Sequence, residues 1–124
     1  MSELHKPARV WIGYWLLGVA AVHTVVGALM FHADLLALVR DGVWDSVGED
    51  PRRAGVVFFL LVGFWFVLQG LAITALERTG DLPALRQQGY GLLVLSLVSV
   101  VLMPSSGFWL FAPAIWALLR SRRD

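Results

Sequence analysis

The chain has 124 residues, of which 58% are hydrophobic and 15% are charged. Soluble domains carry about 25% charged residues, so this composition excludes an ordinary soluble protein and indicates one integral membrane domain over residues 1–124. The formal net charge of +1 and the scattered Lys and Arg residues favour no nucleic-acid partner. The absence of cysteine excludes disulfides and thiolate metal sites.

The first predicted span covers residues 10–31, and His23 is its only titratable side chain. At about 1.5 Å per residue the segment is long enough for the roughly 30 Å hydrocarbon core of a bilayer. It is also longer than the roughly 7 to 15 apolar residues of a secretory signal, so we expect an uncleaved first span.

One face of this helix carries its small residues together with its histidine: Gly13, Ala20, Gly27 and His23. Small residues allow two helix backbones to approach closely in a bilayer, where no hydrophobic drive joins helices. The face is therefore expected to contact protein. We predict that it meets the third span and that His23 faces Ser96 and Ser99.

The connection after the first span predicts a short interfacial helix at residues 33–40 that ends before Gly42. Asp50 followed by Pro51 is typical of a helix start, with the aspartate as N-cap and the proline in the first turn. Asp81, two residues before a proline, predicts the start of another helix by the same chemistry.

Three further apolar runs predict the second, third and fourth spans at residues 54–76, 85–103 and 107–119. Their small and polar residues are Gly63, Gln69 and Gly70 in the second span and Gly89, Ser96 and Ser99 in the third. Ser105 or Ser106 is expected to cap the fourth span, which is short and contains Pro113. The predicted fold is an all-α membrane four-helix bundle with up-down-up-down topology.

Basic residues predict the orientation of this bundle. If both termini are inside, the inner face carries Lys6, Arg9, Arg78, Arg86, Arg120, Arg122 and Arg123, and the outer face carries Arg40, Arg52 and Arg53. The positive-inside rule then predicts a cytoplasmic N-terminus and C-terminus.

His23 is the residue with the widest range of chemistry. A membrane histidine can relay protons, contact a ligand or bind haem, and it can equally form an interhelical hydrogen bond. Haem is the weakest of these options because no second histidine lies in a span. Gln69 favours a helix–helix contact. We predict no cofactor, metal site or catalytic residue, and whether the protein is an enzyme stays open.

Three functional hypotheses follow. The first is a binding module for a small lipophilic ligand or a partner protein, with a site at His23, Gln69, Ser96 and Ser99. The second is a membrane enzyme or proton-coupled carrier that uses His23. The third is a structural subunit that forms homo-oligomers or joins a membrane partner through Gly13, Gly27, Gly63 and Gly70.

Three segments, GYWLLGVAAVHTVVGALMF, LVGFWFVLQG and LMPSSGFWLFAPAIWALL, together with the long acidic connection, resemble a family of small bacterial four-span membrane proteins of unknown function. The resemblance covers almost the whole chain. It implies a four-helix fold in the bacterial cytoplasmic membrane and supplies no activity. The chain is also similar in size to small multidrug exporters, but its first span lacks the membrane-embedded glutamate on which their transport depends.

Overall fold

The computed structural model of the protein describes residues 10–104 and 107–120, and within these ranges it contains helices and loops but no strand. The helices are α1 (Ile12–Met30), α2 (His32–Arg40), α3 (Pro51–Thr79), α4 (Leu82–Leu102), a 3₁₀ helix (Gly107–Phe111) and α5 (Ala112–Leu119). Helices α1, α3 and α4 are long and apolar enough to cross a membrane, which indicates a membrane protein. The predicted all-α class is therefore confirmed.

The predicted helix starts are confirmed at α3 and α4. The Asp50 side chain accepts a hydrogen bond from the backbone N–H of Arg52 at 2.9 Å, and Asp81 accepts one from Ala84 at 3.1 Å. Helix α3 is longer than the predicted span because it begins at the capped end and continues to Gly80, whose left-handed backbone (φ 70°) ends it. Any cap by Ser105 or Ser106 lies outside the described residues.

Helix α2 confirms the short helix predicted after the first span, and Gly42 follows it with φ 90°. Two ion pairs connect this region to the start of α3. Arg52 donates to both carboxylate oxygens of Asp34 at 3.0 and 3.1 Å, and Arg53 lies 2.7 Å from Asp41. The long connection is thereby held against α3 by charge.

The Asp34–Arg52 pair predicts an acid-dependent contribution to stability. Its hydrogen bond from Arg52 lowers the pKa of the Asp34 carboxyl, so the pair contributes fully above the unfolded-state pKa and is lost as pH falls through the folded-state pKa. The difference in Tm between wild type and Asp34→Asn should be constant from neutral pH down to about pH 5 and shrink below about pH 4. Glu49→Gln, in the same connection, should show no such pattern. An unchanged Asp34→Asn difference in strong acid would contradict the assignment.

Helix α1 packs along α3, which makes the predicted meeting of the first and third spans wrong. No Cα atom of α1 lies within 8 Å of a Cα atom of α4. The face of α1 with small residues does contact protein, but its partner is the second span. There Gly63 and Gly70 remove side-chain bulk at heptad spacing, so α3 can approach the small residues of α1 more closely than a serine face would allow.

The fourth predicted span is not one continuous helix. A 3₁₀ helix covers its first five residues, and α5 starts only at Ala112, with Pro113 in its first turn. Proline is favoured there because the first-turn N–H groups need no intrahelical acceptor. Together the two helices rise only about 22 Å. Pro113 therefore lies in the first turn of a helix, not in the middle of a continuous one.

The buried core joins α1, α3, α4, the 3₁₀ helix and α5. Its largest fully buried side chains come from α1, α3, the 3₁₀ helix and α5, and they are Leu16, Ile73, Phe111 and Leu118. Helix α5 packs on α4, where a Cβ at Gly89 would lie 2.9 Å from the Cβ of Leu118. The Trp15 indole N–H donates to the carbonyl of Leu110 at 2.8 Å and ties α1 to the 3₁₀ helix.

Candidate functional site

His23 lies at the contact between α1 and α3. Its Nε2 is 2.7 Å from the backbone carbonyl oxygen of Phe59, and since a carbonyl only accepts, Nε2 carries the hydrogen. The imidazole stacks on the Phe59 ring with centroids 4.0 Å apart, and the edge of Phe66 completes the surroundings at 5.4 Å. The Nε2–H group is therefore satisfied by the backbone, and two aromatic rings lie against the imidazole.

Gly63 provides the space that His23 occupies. A Cβ at this position would lie 2.7 Å from Thr24 Oγ1 and 3.1 Å from His23 Cδ2. Glycine on α3 and histidine on α1 are thus complementary in shape. The arrangement is that of a helix–helix hydrogen bond in an aromatic setting.

The two serines of α4 differ in their hydrogen bonding. Ser99 donates to the carbonyl of Leu95 at 2.7 Å, in the manner common for serine inside membrane helices. Ser96 is only 8% exposed, and its hydroxyl has no hydrogen-bond partner among the described residues. A buried hydroxyl without a partner is costly, so Ser96 is the exception in need of an explanation.

Ser96 lies on the wall of an apolar groove of about 350 Å³ between α4 and the segment formed by the 3₁₀ helix and α5. The remaining lining residues are apolar or aromatic: Leu93, Leu97, Val100, Trp109, Ala112, Ile115, Trp116 and Leu119. A groove of this size accommodates a small ligand, and Ser96 is the residue among those lining it that carries a hydroxyl.

Gln69 lies at a third boundary, between α3 and α4, where its side-chain amide donates to the side-chain carbonyl of Gln88. A cleft of about 340 Å³ opens beside this pair. Its other walls are formed by Trp65, Phe66, Gln87, Gly91, Leu92 and Leu95. The cleft differs from the groove at Ser96 in having amide groups on its surface.

The four predicted ligand-site residues are thus divided among different contacts. His23 bonds to α3, Ser99 bonds within α4, and Gln69 bonds to Gln88 across the α3–α4 boundary. Ser96 alone among them combines burial with an unused hydroxyl. The predicted packing residues Gly13, Ala20, Gly27, Gly63, Gly70 and Gly89 are all buried at helix contacts. The described residues contain no group of three or more His, Asp or Glu side chains that could hold a metal.

Sequence reasoning missed the role of Glu77, which directly follows the predicted second span. This residue is 5% exposed and accepts hydrogen bonds from the backbone N–H groups of Trp11, Ile12 and Gly13 at 3.0, 3.2 and 2.6 Å. The first turn of α1 has no side-chain cap of its own, so α3 supplies a carboxylate to it.

A signal for this contact was present in the sequence. Neither Val10 nor Trp11 can cap a helix, whereas Glu77 is an acid at the far end of the next span. In an antiparallel pair, the end of one helix lies beside the start of the other. An uncapped start and an acid at the matching level of its neighbour together predict such a bond.

Comparison with known proteins gives a family but no activity. No solved structure matches the chain. The model of a family of unknown function, DUF6463, matches residues 7–124. The predicted resemblance to an uncharacterised family is thereby confirmed over nearly the whole sequence, and the chain belongs to the family of unknown function DUF6463.

Proposed function

We propose that the protein is a membrane-embedded binding module that holds a small lipophilic molecule in the groove between α4 and α5. The observation that carries this proposal is Ser96, which lines the groove and whose buried hydroxyl has no hydrogen-bond partner in residues 10–104 and 107–120. A ligand that bears one oxygen or nitrogen at this position would satisfy the hydroxyl. Its apolar body would contact the aliphatic and aromatic side chains around it.

The groove suits a ligand that arrives from the bilayer. Trp109 and Trp116 lie on its wall and are each about 60% exposed, so the groove is bordered by large amphipathic rings. The Trp109 indole N–H already donates to the carbonyl of Pro104 at 2.9 Å. Ser96 is therefore the polar group that would select among lipophilic molecules.

The proposal includes an orientation in a bacterial cytoplasmic membrane. In it α1, α3, α4 and the segment from Gly107 to Leu119 cross in up-down-up-down order, with both termini in the cytoplasm. Support comes from three arginines at one side of the bundle: Arg78 in the last turn of α3, Arg86 near the start of α4 and Arg120 directly after α5. The opposite side carries Arg52 and Arg53, both paired with acids. Further support from Lys6, Arg9, Arg122 and Arg123 lies outside the described residues.

Removal of the hydroxyl should weaken binding. The bound molecule is a copurifying lipophilic compound whose occupancy is measured by native mass spectrometry from detergent. In Ser96→Ala we expect its occupancy to fall as for a five- to tenfold loss of affinity. The reason is that one buried hydrogen bond contributes about 1 to 1.5 kcal/mol. Ala112→Trp, which fills the groove, should abolish the bound mass.

Ser99→Ala is the matched control for this experiment. It removes a serine equally buried on the same helix, but one whose hydroxyl already bonds within the helix and which does not line the groove. The occupancy of the bound molecule in Ser99→Ala should equal that in wild type. The groove would be rejected as the binding site if wild type purified without a bound molecule. It would also be rejected if both Ser96→Ala and Ala112→Trp retained the bound molecule in full.

The contacts favour this module over the other two hypotheses. An enzyme or carrier centred on His23 would have to use a ring already bonded to a backbone carbonyl and stacked on Phe59. A subunit assembled through Gly13 and Gly27 would have to displace α3, which covers both glycines within one chain. The Ser96 hydroxyl, by contrast, is a buried group that the described residues leave without a hydrogen-bond partner.

A further inference from the structure

We propose that the cleft between α3 and α4 is a second binding site, which recognises the carboxamide head of a long-chain amphiphile through Gln69 and Gln88. The proposal is independent of the groove at Ser96, because the two sites lie on different faces of α4. The observation behind it is a half-buried amide pair with hydrogen-bonding capacity left over beside an open cleft.

Two primary amides joined by one hydrogen bond keep a defined set of unused groups. Here the Gln69 amide donates and the Gln88 carbonyl accepts, which leaves the Gln69 carbonyl as an acceptor and the Gln88 NH₂ as a donor. If the two amides exchanged roles, one carbonyl and one NH₂ would still remain. A primary carboxamide presents the complementary donor and acceptor on adjacent atoms, so it can bond to both glutamines at once.

The rest of the cleft suits the other end of such a molecule. The apolar walls of the cleft are formed by Trp65, Leu92 and Leu95, on the side away from the connection between α3 and α4. Gln88 is six residues beyond the first residue of α4, which places it about 9 Å from that end of the helix. The polar head would therefore lie near the end of the bundle where α3 and α4 connect, with the chain extending along α4.

The amide pair has a structural role in any event, but that role alone does not account for the cleft. A helix–helix bond needs only one donor and one acceptor, whereas this boundary provides two glutamines with spare groups and a third, Gln87, on the same cavity. In an apolar environment, unused amide groups are costly when they have no ligand or water. A ligand amide would satisfy them in pairs.

Oleamide and methyl oleate are suitable probes because they share one acyl chain and differ in the N–H donor. We expect oleamide to raise the Tm of the full-length protein in detergent saturably, with an apparent affinity about tenfold above that of methyl oleate. In the double variant Gln69→Leu/Gln88→Leu, which removes both amides while keeping similar side-chain size, the affinity for oleamide should fall to that of the ester.

Ser96→Ala separates this proposal from the proposed function. It should leave the preference for oleamide unchanged, since Ser96 does not line the cleft. Equal effects of the two lipids on wild type, or a preference that survives in the double glutamine variant, would overturn the second site. A preference lost in Ser96→Ala but kept in the double variant would assign carboxamide binding to the groove and overturn the second site alone.

Discussion

Gly13→Ala is expected to destabilise the protein more than any other single methyl addition to α1. The new Cβ would lie 1.9 Å from Thr74 Oγ1 and 2.6 Å from both the carbonyl oxygen of Gly70 and the backbone N of Thr74. Two of these three atoms belong to the backbone of α3, so no side-chain rotation can relieve the overlap and the helices must separate. We expect a loss of about 3 kcal/mol, at the upper end for overpacking, measured by reversible unfolding in mixed micelles.

Gly18→Ala on the same helix is the matched control. Apart from the adjoining residues of α1 itself, no heavy atom of the described residues lies within 4 Å of a Cβ at this position, so the added methyl group meets open space. Because alanine favours a helix more than glycine does, this variant should be as stable as wild type or more stable. Equal stability of the two alanine variants would show that α1 and α3 do not approach each other as closely as described here.

Glu77→Ala has the second-largest expected effect. Three N–H groups at the start of α1 would lose their acceptor, and a buried side chain would leave a void beside them. We expect a loss of about 3 kcal/mol, since charged hydrogen bonds and helix caps each contribute on the order of 1 to 2 kcal/mol. The loss should appear in unfolding experiments and as faster hydrogen exchange of the Trp11, Ile12 and Gly13 amides.

Glu77→Gln tests the charge apart from the shape. The glutamine keeps one acceptor oxygen but presents an NH₂ group to N–H donors, and it loses the favourable interaction of a carboxylate with the helix N-terminus. Its stability should fall between those of Glu77→Ala and wild type. Wild-type exchange rates at the start of α1 in both variants would show that Glu77 does not cap this helix.

The glycines of α1 show which part of a helix contact a sequence pattern can predict. Their heptad spacing predicts a face that contacts protein, and such a face exists because close approach is the main source of helix affinity in a bilayer. The pattern does not say which helix provides the partner. Both α3 and α4 carry small residues at similar spacing, and only α3 offers backbone atoms close enough to be contacted at Gly13.

For the polar residues, too, the sequence identifies the residues but not their partners. Ser96 and Gln69 can be selected as candidate residues from the sequence, because polar side chains are rare in such apolar segments. Their partners are not visible, since Gln88 lies at the polar start of the predicted third span and pairs with Gln69 only through the crossing of α3 and α4. The surroundings of the Ser96 hydroxyl depend on how α5 packs against α4.

The sequence by itself determined the membrane class, the three long apolar helices and the starts of α3 and α4, because apolar length and N-cap chemistry are local properties. The tertiary structure alone decided that α1 pairs with α3, that Glu77 completes the first turn of α1 and that Ser96 has no partner among the described residues. These outcomes depend on which backbones can approach most closely. That comparison involves all the helices at once, and no single segment contains it.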